Sequence, residues 1–192
     1  MPNWCTTSYA LTGEPKEVDS LYRMMHSLEK RHAPLVPNGF GKRWLGCLVS
    51  ALGESPMEHD CRGQWSNLRV DGDGVLHFDT EHAWSRPEEM EVLIARHFPS
   101  LSVFFLEEEL GMDVFQTNDA EGRFFPQQVI IDDEKRGMEY FTECEALARL
   151  SVLAGKPLSS WEEAVAFTDE HNDREDEASG EDHIWLHRAK LC

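Results

Sequence analysis

From Trp65 to Thr80 two runs of alternating character flank Asp71-Gly72-Asp73-Gly74, whose glycines can supply the positive φ that a tight reversal needs. The stretch predicts a β-hairpin, and a hairpin fixes strand register and so decides which side chains face a core. Ser85-Arg86-Pro87-Glu88 follows with the spacing of a capping box, which predicts a helix start. Met90, Leu93, Ile94 and His97 or Phe98 then fall at helical intervals, and Pro99 ends the run. Leu101 to Leu106 is dense and apolar, as in a buried strand. Hairpin, helix and strand are thus written in one continuous stretch.

The preceding residues add a strand and a helix. Trp4 to Leu11 has the aromatic and β-branched content of a strand, and burial of Cys5, Thr7, Tyr9 and Leu11 would make Cys5 a core thiol. Gly13-Glu14-Pro15 opens a helix whose apolar stripe is Val18, Leu21, Met25 and Leu28. Residues 33–60 read as a helical insertion, with Trp44, Cys47, Leu48 and Ala51 on one helix face. The order strand, helix, strand, strand, helix, strand predicts an α+β fold with a ferredoxin-like β-α-β-β-α-β antiparallel sheet. Asp113–Thr117 and Phe124–Ile131 are expected to form an added C-terminal hairpin, closing a domain at about residue 131. Residues 132–192 are expected to be helical and acidic. Tyr140, Phe141, Cys144, Leu147 and Leu150 fall in one predicted helix, and Ser159 or Ser160 can cap the next. Asp169 to Asp182, with Asp169, Glu170, Asp173, Glu175, Asp176 and Glu177, holds no core-forming residue and reads as solvated.

Charge narrows the functional classes. The net charge is −18, and it is uneven: 14 acidic and 10 basic residues over 1–106, against 22 and 8 over 107–192. Such a balance argues against direct nucleic-acid binding or attraction to an anionic membrane, and permits a basic protein as partner, against the plainer account that the charge keeps the chain soluble. Five cysteines without a Cys-x-x-Cys pair suit free thiols in a reducing compartment. With no signal-peptide pattern and no run of membrane-spanning length, the expectation is a cytoplasmic protein.

Met1-Pro2-Asn3-Trp4-Cys5, Arg62-Gly63-x-Trp65, Phe78-x-Thr80 followed by Ala83-Trp84-Ser85-x-Pro87, and Glu107-Glu108-Glu109-x-Gly111 together resemble the YubB-type ferredoxin-like family. The resemblance covers roughly residues 1–131. It implies a topology and an origin in phage, plasmid or other mobile accessory regions. It implies no activity and no iron–sulfur cluster.

Arg62, Trp65, Trp84, Arg86 and Glu108 form the candidate binding surface, since Trp and Arg dominate interaction hot spots. The competing account places both tryptophans in the core. His77, Asp79 and His82 are the candidate metal ligands of an alternative, metal-assisted hydrolase, against the plainer account of a hairpin with one wet face. His59 and Cys61 could join a zinc site only if Cys47 and a further ligand came near. No nucleophile elbow, phosphate loop or dinucleotide fingerprint occurs. The expectation is a non-enzymatic interaction protein without a cofactor.

Overall fold

The computed structural model describes residues 3–178 and 182–192, and the side chains of all of these except 177 and 178. Glu177 of the acidic segment therefore lies outside the described side chains. The chain is an α+β protein that divides into two units, Met1–Asn118 and Asp119–Cys192. No described helix is long and apolar enough to cross a membrane.

The first unit contains β1 (Trp4–Thr12), α1 (Pro15–Lys30), α2 (Leu45–Ala51), β2 (Gly63–Val70), β3 (Leu76–Ala83), α3 (Glu88–His97), β4 (Ser102–Glu109) and β5 (Val114–Thr117). Its strands lie in the order β2-β3-β1-β4-β5, each antiparallel to its neighbour. Register sets the faces. Cys5 opposes His82, Thr7 opposes Thr80 and Glu107, and Tyr9 opposes Phe78 and Phe105. Side chains alternate along a strand, so these residues share one face. Tyr9, Leu11, Leu76, Phe78 and Phe105 on that face pack in one core with Leu21 and Met25 of α1 and Met90, Leu93 and Ile94 of α3. Each such side chain, fully buried, contributes about 1.5–3 kcal/mol from removal of apolar surface.

The predicted hairpin is present. Asp71 Oδ1 accepts from the amides of Asp73 and Val75 at 3.0 and 2.9 Å, and Gly74 takes the turn's positive φ of 78°. A bulge at Asn67 (φ 52°) shifts the register between Ser66 and Arg69. The capping box expected at Ser85 does not form. Pro87 is the N-cap of α3, two residues later than the spacing implied, and no side chain caps it. The helical insertion is tied beside β2 by Trp65 N–H to the Arg43 carbonyl and by Trp44 Nε1–H to the Cys61 carbonyl.

The second unit holds β6 (Val129–Asp133), β7 (Gly137–Phe141) and β8 (Ile184–Arg188) in the antiparallel order β7-β6-β8, with α4 (Glu143–Ala154) and α5 (Trp161–Ala178). Val129, Ile131 and Ile184 pack with Ala146, Leu150 and Ala164.

Two expectations for this region need correcting. The run 124–131 does not pair with 113–117, so the added hairpin is absent. The Asp119 carboxylate accepts from the amides of Arg123, Phe124 and Phe125, coiling those residues into a loop. Only β5 joins β4, while β6 lies in the other sheet. Residues 137–141 are strand rather than helix, because Asp133 Oδ1 binds the amides of Lys135 and Arg136 and Gly137 takes φ 83°, which turns the chain back along β6. Helix begins only after Thr142, in a full capping box with Glu145. The acidic segment is solvated on its outer side, as expected, but is also held by tertiary contacts. As far as residue 178 it continues α5, and Asn172 exchanges two hydrogen bonds of 2.9 Å with the backbone of Ile184.

Candidate functional site

The helix-facing side of the first sheet changes character at one end, where polar groups replace the apolar core. On β4 the inward positions are Val103, Phe105 and Glu107, so pleating alone drives a carboxylate inside. Glu107 is 1% exposed and must find donors there. It finds four: the Arg86 amide at 2.8 Å, the Arg86 guanidinium at 3.1 Å, Gln116 Nε2 at 2.5 Å and the Cys5 thiol at 3.2 Å. Arg86 lies over the Phe105 ring, 4.1 Å from its centroid, and also pairs with Glu91 and Glu88. Glu91 in turn accepts from the Tyr9 hydroxyl at 2.7 Å.

The ionisation states follow from these contacts. Burial works to raise Glu107, but the bonds from Gln116, Arg86 and Cys5 outweigh it and hold its carboxyl below the usual range. Burial dominates at Glu91 and raises it. Burial first, then the Glu107 charge, pushes the Cys5 thiol up to about 12. A neutral thiol is a poor nucleophile. The charged members engage one another, so the network is a strut joining β1, β4, β5 and α3.

Above the strut, His82 is 2% exposed. Its Nδ1 meets the Ser85 carbonyl at 2.7 Å, and its Nε2 stands 3.5 Å from Asp60 Oδ1. Asp60 is itself engaged by Arg62, whose bond to it holds Asp60 below the ordinary carboxylate range. Thr80 Oγ1 and Trp65 Nε1, on cross-strand neighbours, are buried without hydrogen-bond partners.

The candidate binding surface is thereby taken apart. Trp65 is fully buried, and Arg86 is committed to the strut. Glu108 opposes Thr6 and Phe115, on the sheet face away from Glu107. Arg62 and Trp84 remain at the surface. Trp84 is 44% exposed and has φ 79°, a conformation that costs a bulky residue roughly 1–2 kcal/mol. Its amide donates to the Asn3 carbonyl, which sets it beside Trp4, and Trp4 meets Phe40 edge-on at 6.4 Å. Trp4 and Phe40 are also exposed.

The alternative metal ligands are separated. His77 bonds Asp71 at 2.8 Å, and Asp79 accepts from Ser8 and Asn67. Both lie on the sheet face opposite His82, which shares the parity of the buried residues Leu76, Phe78 and Thr80. His59 Nδ1 instead meets Glu89 at 3.2 Å.

In the second unit, α5 turns Ala164 and Thr168 inward and leaves Glu162, Glu163, Asp169, Glu170, Asp173 and Asp176 exposed. Glu175 is partly buried. Arg174 is the one basic residue of the helix. At its end His183 bridges two carboxylates, Nδ1 to Glu134 at 2.9 Å and Nε2 to Asp176 at 3.0 Å.

Sequence reasoning missed Glu107 as the centre of the strut, although the parity of Val103, Phe105 and Glu107 carried the signal. The chain matches no family model, no curated protein and no solved structure.

Proposed function

We propose that the chain is a non-enzymatic interaction module that presents the acidic face of α5 to a basic protein surface. The observation that carries this reading is the outward row Glu162, Asp169, Asp173 and Asp176, with Glu163 and Glu170 beside it, on a helix with a single arginine. A rigid helix holds these charges at fixed spacing, so a basic groove meets them without first ordering a disordered tail. Association of this kind is fast and weakens with salt. The exposed, strained Trp84 is a second point of contact in the first unit, since strain of this kind gathers at functional positions.

For the first unit we infer the ferredoxin-like plan, supported by the order β2-β3-β1-β4 and by helices between β1 and β2 and between β3 and β4. The YubB-type resemblance supports an accessory role in a phage, plasmid or other mobile region. On that reading the basic partner is a host nucleic-acid-binding protein whose phosphate-binding groove the carboxylates occupy. The chain itself does not bind nucleic acid. A cytoplasmic setting is supported by five cysteines that form no disulfide, three of them buried. The metal-assisted hydrolase has less to support it, because His77 and Asp79 lie across the sheet from His82.

The test is a pull-down from host lysate at low and high salt. It compares the full chain with a variant carrying Asp169→Asn, Glu170→Gln and Asp173→Asn. Neutralisation keeps the helix and its Asn172 clip, which truncation within α5 would remove along with β8. Loss of a basic partner from the variant, and from the wild type at high salt, is the expected result. Equal recovery by both proteins, or recovery of nothing by either, overturns the proposal.

A further inference from the structure

The inner side of the last turns of α5 differs from the acidic outer face. His171 and Glu175 are four residues apart and so stand one above the other on the helix. Asp182 approaches from the segment that leads into β8. One imidazole nitrogen and one oxygen from each carboxylate lie within 4.8 Å of one another, and all three residues are partly buried.

Two features distinguish this trio from carboxylates that simply face water. Asp182 Oδ1 has no exposed surface and no hydrogen-bond partner, while Oδ2 of the same group pairs with Lys135 Nζ at 2.9 Å. A carboxylate oxygen removed from water and offered no donor is a position that a cation would satisfy. The His171 ring is also held in place. Its Nε2 meets the Asp182 carbonyl at 2.6 Å, and Phe167 packs against it at 6.0 Å. Metal-binding imidazoles are commonly oriented by a backbone carbonyl in this way.

We propose that His171, Glu175 and Asp182 form a site for one divalent transition-metal ion, with zinc the best fit. The donor set is mixed: imidazole favours zinc and its neighbours in the series, whereas a purely carboxylate set would favour magnesium or calcium. Two ligands about 2.0–2.1 Å from a tetrahedral zinc stand roughly 3.4 Å apart. With the imidazole held, rotation of the Glu175 and Asp182 carboxylates closes the remaining gap. Three protein ligands leave the fourth position to water or to a group from a partner. Because the free oxygen is Oδ1, the ion pair between Lys135 and Oδ2 can persist. The bound ion would fasten the end of α5 to the start of β8. This site is independent of the interaction reading, which uses the opposite face of the helix.

The experiment is calorimetric titration of the full chain, stripped with chelator, with zinc chloride, alongside equilibrium dialysis. One equivalent should bind. Glu175→Gln and Asp182→Asn should each weaken binding about tenfold or more, since loss of even an outer-shell partner costs that much. Asp173→Asn, on the exposed face, should leave it unchanged. His171→Ala removes a ligand and a structural hydrogen bond together, so Glu175→Gln with an unaltered far-UV spectrum is the deciding variant. Absence of stoichiometric binding overturns the proposal. So does an equal loss in Asp173→Asn and Glu175→Gln, which would mark diffuse association with surface carboxylates.

Discussion

Trp84 concentrates backbone strain and solvent exposure in one residue. It follows β3 directly, takes a positive φ, and leaves much of its indole in solvent. A residue selected only for stability at such a position would be glycine. Comparing Trp84→Gly with Trp84→Ala isolates the backbone term, because both lose the indole. The glycine variant should be the more stable by about 1 kcal/mol in urea unfolding, reversing the usual penalty for glycine against alanine. Equal stability, or an advantage for alanine, would mean that the conformation is unstrained. The strut around Glu107 is the opposite case. There a buried charge is retained because four donors converge on it, and the neutral Cys5 thiol serves as one of them.

Among the elements, α5 joins apolar packing at its start to polar contacts at its end. Ala164 and Thr168 are buried on its inward face with Trp161 and Phe167 packed beside the core, and Asn172 and His183 hold its last turns. The bond from Glu134, and then that from Asp176, raises His183 above its ordinary value of 6.5. A histidine raised on folding contributes stability that is fully present below its unfolded value and is lost as pH rises through the folded value. Protection of α5 amides in hydrogen exchange should therefore fall as pH is raised through the folded value, after correction for the intrinsic rate. Glu134→Gln should move the His183 midpoint back toward 6.5, and an unmoved midpoint in a ¹H–¹⁵N titration would remove Glu134 as the cause. The same helix marks the limit of what periodicity reveals. The hairpin, α1, α3 and β4 were legible because their apolar residues recur at a strand or helix period. The hold of Asn172 on Ile184 was not, since a polar residue bonding to a distant backbone has no periodic signature. Nor was β7, whose residues are almost all exposed and whose course is set by the Asp133 turn. The candidate surface failed for a related reason. Type alone grouped Trp65 with Trp84 and His77 with His82, whereas strand parity and chain direction separate them.

For the whole molecule, the division at Asn118 has a consequence in time. Each core is built within its own unit, but the two differ in when their parts are made. Every strand of the first unit's sheet named above has been synthesised by residue 118. The sheet of the second unit is opened by β6 and β7 and completed by β8, which enters only after both helices. At a translation rate of about 5–20 residues per second, β6 therefore waits some seconds with one edge unpaired and with Val129 and Ile131 lacking Ile184 and Leu186. During that interval the nascent chain is half finished and half adhesive. Ribosome-bound chains stalled with residue 160 outside the exit tunnel should yield a protease-resistant fragment ending near residue 118. Chains stalled with residue 192 outside should resist throughout, and equal resistance at the two lengths would show that β8 is not the closing piece.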